Sequence, residues 1–132
     1  MKTNSTCYMI TCRHEEIVSE ITNVSEFIRY ILIVDDKGKK RSHKIISKSI
    51  PSDDRSRLLT VDMVVLKRLL SLYDEIAGKN TCIHLIREKV HVLIFYFKDW
   101  IFLVSCERRA SRYEISNIAE EIESILKRYC TQ

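Results

Sequence analysis

The chain has 132 residues, 45% of them hydrophobic, and a formal charge of +4 from 22 basic and 18 acidic side chains. That length suits one domain over residues 1–132, and the apolar fraction excludes a disordered polypeptide. The small, dispersed positive excess lacks the dense basic stripe of a nucleic-acid-binding protein, so nucleic acid is not an expected partner.

Two glycines and one proline leave little room for linkers, so long elements joined by short turns are expected. The first apolar stretch is broken by Cys12, Arg13 and His14, unlike a signal peptide. The apolar run from Val90 to Val104 is cut by Lys98 and Asp99 and is too short to span a bilayer. Five cysteines at 7, 12, 82, 106 and 130 show no repeated spacing. An odd number without a secretory signal reads as reduced thiols in a cytoplasmic protein.

From Met9 to about Asn23, the residues Ile10, Ile17, Val18, Ile21 and Val24 recur at helical spacing, with Thr11 as N-cap. Phe27 to Asp35 is rich in β-branched and aromatic residues and reads as a strand buried on both faces. Asp36-Lys37-Gly38 supplies a turn into a second strand, Lys39 to Ser47, whose charges suit a sheet edge. Ser47 to Arg57 reads as a loop, and Thr60 as the cap of a helix running to Ala77 and stopped by Gly78.

Three strands follow, Thr81–Arg87, Val90–Phe97 and Trp100–Cys106, turning near Glu88 and at Lys98-Asp99. Connections this short require an antiparallel meander. Phe95, Phe97, Trp100 and Phe102 fall on one face, and Ile94, Tyr96, Ile101 and Leu103 on the other. Ser111 and Glu114 form a capping box that opens a final helix, its apolar stripe running from Ile115 to Tyr129. The expected fold is therefore α+β in the order α-β-β-α-β-β-β-α. A five-stranded antiparallel sheet carries two of its three helices on one face and one on the other.

The segments Val24 to Gly38 and Leu93 to Glu107, taken in this element order, resemble the roadblock/LC7 family. That family typically has a hydrophobic strand ending in Val-Asp and a Gly turn, as at Val34, Asp35 and Gly38. The second strand here is more basic than the family's, and the turn near Glu88 lacks a glycine. The resemblance implies a roadblock/profilin-like fold and a non-catalytic homo- or heterodimeric platform for Ras-like small GTPases, or a dynein light chain. It also implies that the second helix lies at the dimer interface.

The second helix points to association by its own composition. Projected at about 100° per residue, Leu59, Met63, Leu66, Leu70, Tyr73 and Ala77 form one stripe. Leu58, Val65, Leu69, Leu72 and Ile76, extended by Val61, form a second beside it. Together they span roughly 200° of perimeter, where covering one sheet face needs little over 100°. Cover from the loop or a neighbouring strand is the ordinary explanation. Packing against a second chain is the sharper one, with Val61, Val65, Leu69, Leu72, Ile76, Thr81 and Ile83 as the expected dimer interface. The second chain is then a copy of this one or a paralogous subunit.

Other constellations carry less. Cys7, Cys12 and His14 lack a fourth zinc ligand nearby, and no metal or other cofactor is expected. His84 and His91 are expected to face each other across adjacent strands, as a satisfied pair, a pH switch or a metal pair. No nucleophile elbow or activated cysteine is recognisable, and two glycines cannot build a phosphate-binding loop. No enzymatic activity is expected, and any GTPase partner must hold the nucleotide itself. Lys39, Lys40, Arg41 and Lys44 offer contact to an acidic partner, or serve only as a solvated edge. A nucleic-acid module using hairpin 37–44, or a small-molecule sensor, remains as the alternative.

Overall fold

The computed structural model describes residues 13–35, 37, 40–45 and 53–130, excepting the side chains of 40–45, 53–61 and 130. Its elements are α1 over 13–22, β1 Ile28–Asp35, β2 Lys40–Ile45, α2 Asp53–Ser71 and α3 Asp74–Ala77. Next come β3 Cys82–Ile86, β4 Val90–Phe97, β5 Trp100–Glu107 and α4 Arg112–Cys130. The strands form one antiparallel sheet in the order β2-β1-β5-β4-β3. The ends of the chain's two hairpin systems, β2 and β3, are therefore its edges.

The sheet is apolar on both sides because β1, β4 and β5 alternate between two apolar sets. On one face Ile31, Ile33, Phe95, Trp100 and Phe102 pack with Ile17, Val18 and Ile21 of α1 and Ile115, Ile118, Ile122 and Leu126 of α4. On the other, Tyr30, Leu32, Val34, Ile94, Tyr96, Ile101 and Leu103 pack with Met63 and Val64 of α2. This is the expected division of the aromatic and aliphatic sets, with two helices on one face and one on the other. The register of β1 against β5 slips between Ile28 and Tyr30. That slip lets Ile28 and Ile31, three residues apart, serve the same face.

Local chemistry sets the helix ends. At α4, the Ser111 N–H donates to Glu114 Oε1 at 2.8 Å and the Glu114 N–H donates to Ser111 Oγ at 3.1 Å. The expected capping box is thus formed in both directions. Thr11 and Gly38 lie outside the described residues. At the exit of β1, Asp35 Oδ1 accepts the Lys37 N–H at 3.0 Å, a local bond that begins the turn.

The second helix departs from expectation at both ends. It begins at Asp53, inside the stretch read as a loop, so Thr60 lies within the helix and is not its cap. It ends at Ser71, and the chain turns through Leu72 and Tyr73 before one further turn, α3, stops at Gly78. There are thus two helices where one was expected. The break has a visible cause in local bonding. Leu72 and Tyr73 N–H groups donate to carbonyls three residues back, and Ser71 Oγ donates to the Arg68 carbonyl at 2.7 Å. Gly78 has φ 81° and ψ 172°, a conformation suited to glycine.

A candidate protein-docking face

α2 is seated on the sheet by its Met63–Val64 side. The Tyr96 hydroxyl donates to the Met63 carbonyl at 3.3 Å, and Lys67 Nζ to the Lys98 carbonyl at 3.4 Å. Burial pushes the Tyr96 pKa up to about 12, so this hydroxyl remains a donor throughout the neutral range. Leu66 is half-buried against the same core. Val64 belongs to neither of the stripes expected from the sequence, yet it is buried.

With that side fixed, the other apolar stripe faces outward. Val65, Leu69, Leu72 and Ile76 are between 49% and 87% exposed. Tyr73 and Ala77, expected on the inward stripe, are exposed too. The helix break between α2 and α3 interrupts the rotational phase, so a continuous projection puts Tyr73 and Ala77 on the inward stripe although both are exposed. The side chains of Leu58, Leu59 and Val61 lie outside the described residues.

Among the described residues β3 is an edge of the sheet. Between α2 and β3 runs a groove of about 610 Å³ lined by Leu66, Leu70, Tyr73, Ile83 and Leu85 among others, on the side of α2 away from Val65, Leu69, Leu72 and Ile76. Thr81 is exposed at the start of this edge, whereas Ile83 is partly buried against the α2 side of the core. Leu85, which sequence reasoning missed, is exposed. Its alternation with His84 was the available signal. The Tyr96 N–H donates to the Thr81 carbonyl at 3.1 Å and the Arg87 N–H to the Val90 carbonyl at 2.9 Å. In an antiparallel ladder this turns residues 81, 83, 85 and 87 toward β4. The backbone N–H and C=O groups of Cys82, His84 and Ile86 consequently point away from the sheet.

The histidine pair sits on this edge. The register sets His84 opposite Leu93 and His91 opposite Ile86, so the two are diagonal neighbours and not directly opposed as expected. The diagonal still brings His84 Nε2 to 3.0 Å from His91 Nδ1, with ring centroids 5.1 Å apart. His91 is fully buried, and its Nε2 lies 2.9 Å from the Ala110 carbonyl oxygen. A carbonyl only accepts, so His91 Nε2 carries hydrogen and its Nδ1 is an acceptor; His84 Nε2 is then the donor to it. Burial, then the neighbouring His91, then the Arg112 charge hold the His84 pKa below its ordinary value.

Among the described residues no group of three His, Cys, Asp or Glu side chains is placed to hold a metal. Burial pushes Cys82 up to about 11 and Cys106 up to about 12, which leaves both as protonated thiols near neutrality. Cys7 and Cys12, the side chains of Lys40, Arg41 and Lys44, and all of Lys39 lie outside the described residues. No described helix is long and apolar enough to cross a membrane.

A two-faced antiparallel sheet with a helix pair on one side and a single long helix on the other is the roadblock/LC7 architecture. Solved structures with that fold superpose on most of the chain. The roadblock/LC7 domain from Streptomyces avermitilis matches with TM-score 0.67 at 10% identity, covering 86% of this chain and 91% of that one. MglB of Myxococcus xanthus matches with TM-score 0.67 at 13% identity, covering 89% and 87%. The gliding protein MglB of Thermus thermophilus matches with TM-score 0.64 at 16% identity, covering 90% and 89%. No protein-family model matches the sequence, and no curated protein matches it.

Proposed function

We propose that this chain is a non-catalytic, dimeric regulatory module that binds a Ras-like small GTPase. The observation that carries the reading is the exposed row Val65, Leu69, Leu72 and Ile76, in a molecule whose β3 is an edge strand among the described residues. A monomer gains nothing from holding four large apolar side chains in water, whereas a second subunit laid on the same face would bury them. The partner is a second copy or a paralogous subunit, pairing β3 with its counterpart and packing α2 against α2.

The GTPase part of the reading is supported by the likeness in fold to MglB and roadblock/LC7 domains. It also fits a chain whose two glycines cannot form a phosphate-binding loop. Titration calorimetry against a Ras-like GTPase of the same genome, loaded in turn with GDP and a GTP analogue, tests it. Binding that differs between the two nucleotide states supports a regulator; no heat in either state contradicts that role. Multi-angle light scattering at micromolar concentration tests the dimer, and a monomer there counts against it.

A further inference from the structure

We infer that the protonation of His84 controls the pairing of β3 with a second copy of this chain. The inference rests on the self-association proposed above. It starts from a fact of position: His84 is the middle residue of β3, Cys82–Ile86. The outward-pointing backbone groups are those of residues 82, 84 and 86, so they too are centred on His84. In the centred register of an isologous antiparallel pair, the one that uses the groups of all three residues, His84 lies opposite His84 of the second copy.

The chain of bonds behind His84 decides where an added proton goes. His91 donates from Nε2 to the Ala110 carbonyl and accepts at Nδ1 from His84 Nε2. His84 Nδ1 is then the one ring nitrogen of the pair that takes a proton without breaking a hydrogen bond. Charging it in both copies places two imidazolium ions on directly opposed residues of a newly formed ladder, where like charges destabilise pairing. The neutral pair has no such penalty. His91, inside the sheet, anchors the ring of His84 from behind, so the charge is not carried away by a simple swing of the side chain.

The groups around His84 reinforce the effect. From β4 it meets His91, and from α4 the Arg112 guanidinium, a further positive charge. Cys82, two residues away on its own strand, is a protonated thiol, and the α4 carboxylate Glu123 acts on that thiol. The turn after β3 carries Arg87, Glu88 and Lys89, a net positive contribution. His14 lies on α1 and His43 on the opposite edge strand β2, so substituting His84 leaves both in place.

Sedimentation velocity of the full chain at pH 8.0, 6.5 and 5.0, with far-UV circular dichroism on the same samples, tests the inference beside His84→Gln. The expected result is a dimer that weakens at least tenfold between pH 8.0 and 5.0 in the parent chain, most of it below pH 6.5 because His84 is held below its ordinary value, with an unchanged dichroism spectrum. His84→Gln is expected to dimerise with little dependence on pH. A dimer of constant strength, the same pH dependence in His84→Gln, or dissociation accompanied by loss of helical signal each overturns the inference while leaving the dimer standing. A monomer at pH 8.0 in both proteins overturns the underlying self-association, and the inference with it.

Discussion

His84 Nε2 and His91 Nδ1 lie 3.0 Å apart, and the far nitrogen of His91 lies 2.9 Å from the Ala110 carbonyl oxygen. This short chain of bonds ties the free edge β3 through β4 to the turn that precedes α4. Replacing His91 by alanine removes a fully buried ring and leaves two polar groups without their bonds. We expect a loss of about 2–4 kcal/mol in unfolding free energy, read from urea denaturation at pH 7.5. A loss under about 1 kcal/mol means the chain of bonds carries little weight in the fold.

Acid should weaken the fold through His84. Its pKa is held below the ordinary value in the folded state, so the unfolded chain takes up the proton first. The resulting stability is fully present above about pH 6.5 and is lost as pH falls from there through the folded-state value. Denaturation midpoints measured at low protein concentration should therefore fall between pH 7 and pH 5.5, and His84→Gln should flatten that slope. Glu20, held low by the Tyr129 hydroxyl and then by Arg128, contributes stability that is lost only in more acidic solution, so the two windows separate. An unchanged slope in His84→Gln assigns the acid effect to other groups.

The capping box offers a cleaner measure of local chemistry. Ser111→Ala removes the oxygen that accepts the Glu114 N–H and should cost about 1 kcal/mol. Ser111→Asn, which can accept the same bond, should recover most of it. Equal losses in both variants exclude capping as the cause.

Gly78 has positive φ with nothing within 4 Å of where a Cβ would sit. Gly78→Ala therefore meets no steric neighbour but must hold a backbone conformation that L-residues avoid. The expected cost is about 1–3 kcal/mol, visible as a lower thermal midpoint. A neutral substitution would show that the α3–β3 connection relaxes.

Much of this architecture is legible from residues alone, for identifiable reasons. The strands β4 and β5 carry aromatic and β-branched residues without interruption, and their two-residue turn at Lys98 and Asp99 fixes which face each side chain takes. The capping box marks the start of α4 by two reciprocal bonds that need no tertiary partner. The second helix is harder. Its first turns carry Asp53, Asp54, Arg55 and Ser56, a polar run without apolar periodicity that reads as a loop although the backbone there is helical. Its end is set by a Ser71 side-chain bond to the backbone that no apolar periodicity reveals. The outward stripe up to Leu69 is legible because α2 keeps one phase over that span; the exposure of Tyr73 is not, because the phase changes at the break. The histidine contact is legible as a pairing of adjacent strands, but its diagonal register depends on where the 87–89 turn closes.

The central claim is that α2 and β3 together form a face built to receive a second subunit, and Leu69→Asp addresses it most directly. Leu69 is 56% exposed, so a charge there should change the unfolding free energy of a single subunit by no more than about 0.5 kcal/mol. In a dimer the same charge would be buried without a partner. Equilibrium sedimentation at micromolar concentration is expected to give a dimer for the parent chain and a folded monomer for Leu69→Asp. A parent chain that sediments as a monomer, or a Leu69→Asp dimer of undiminished strength, contradicts the assignment of this face.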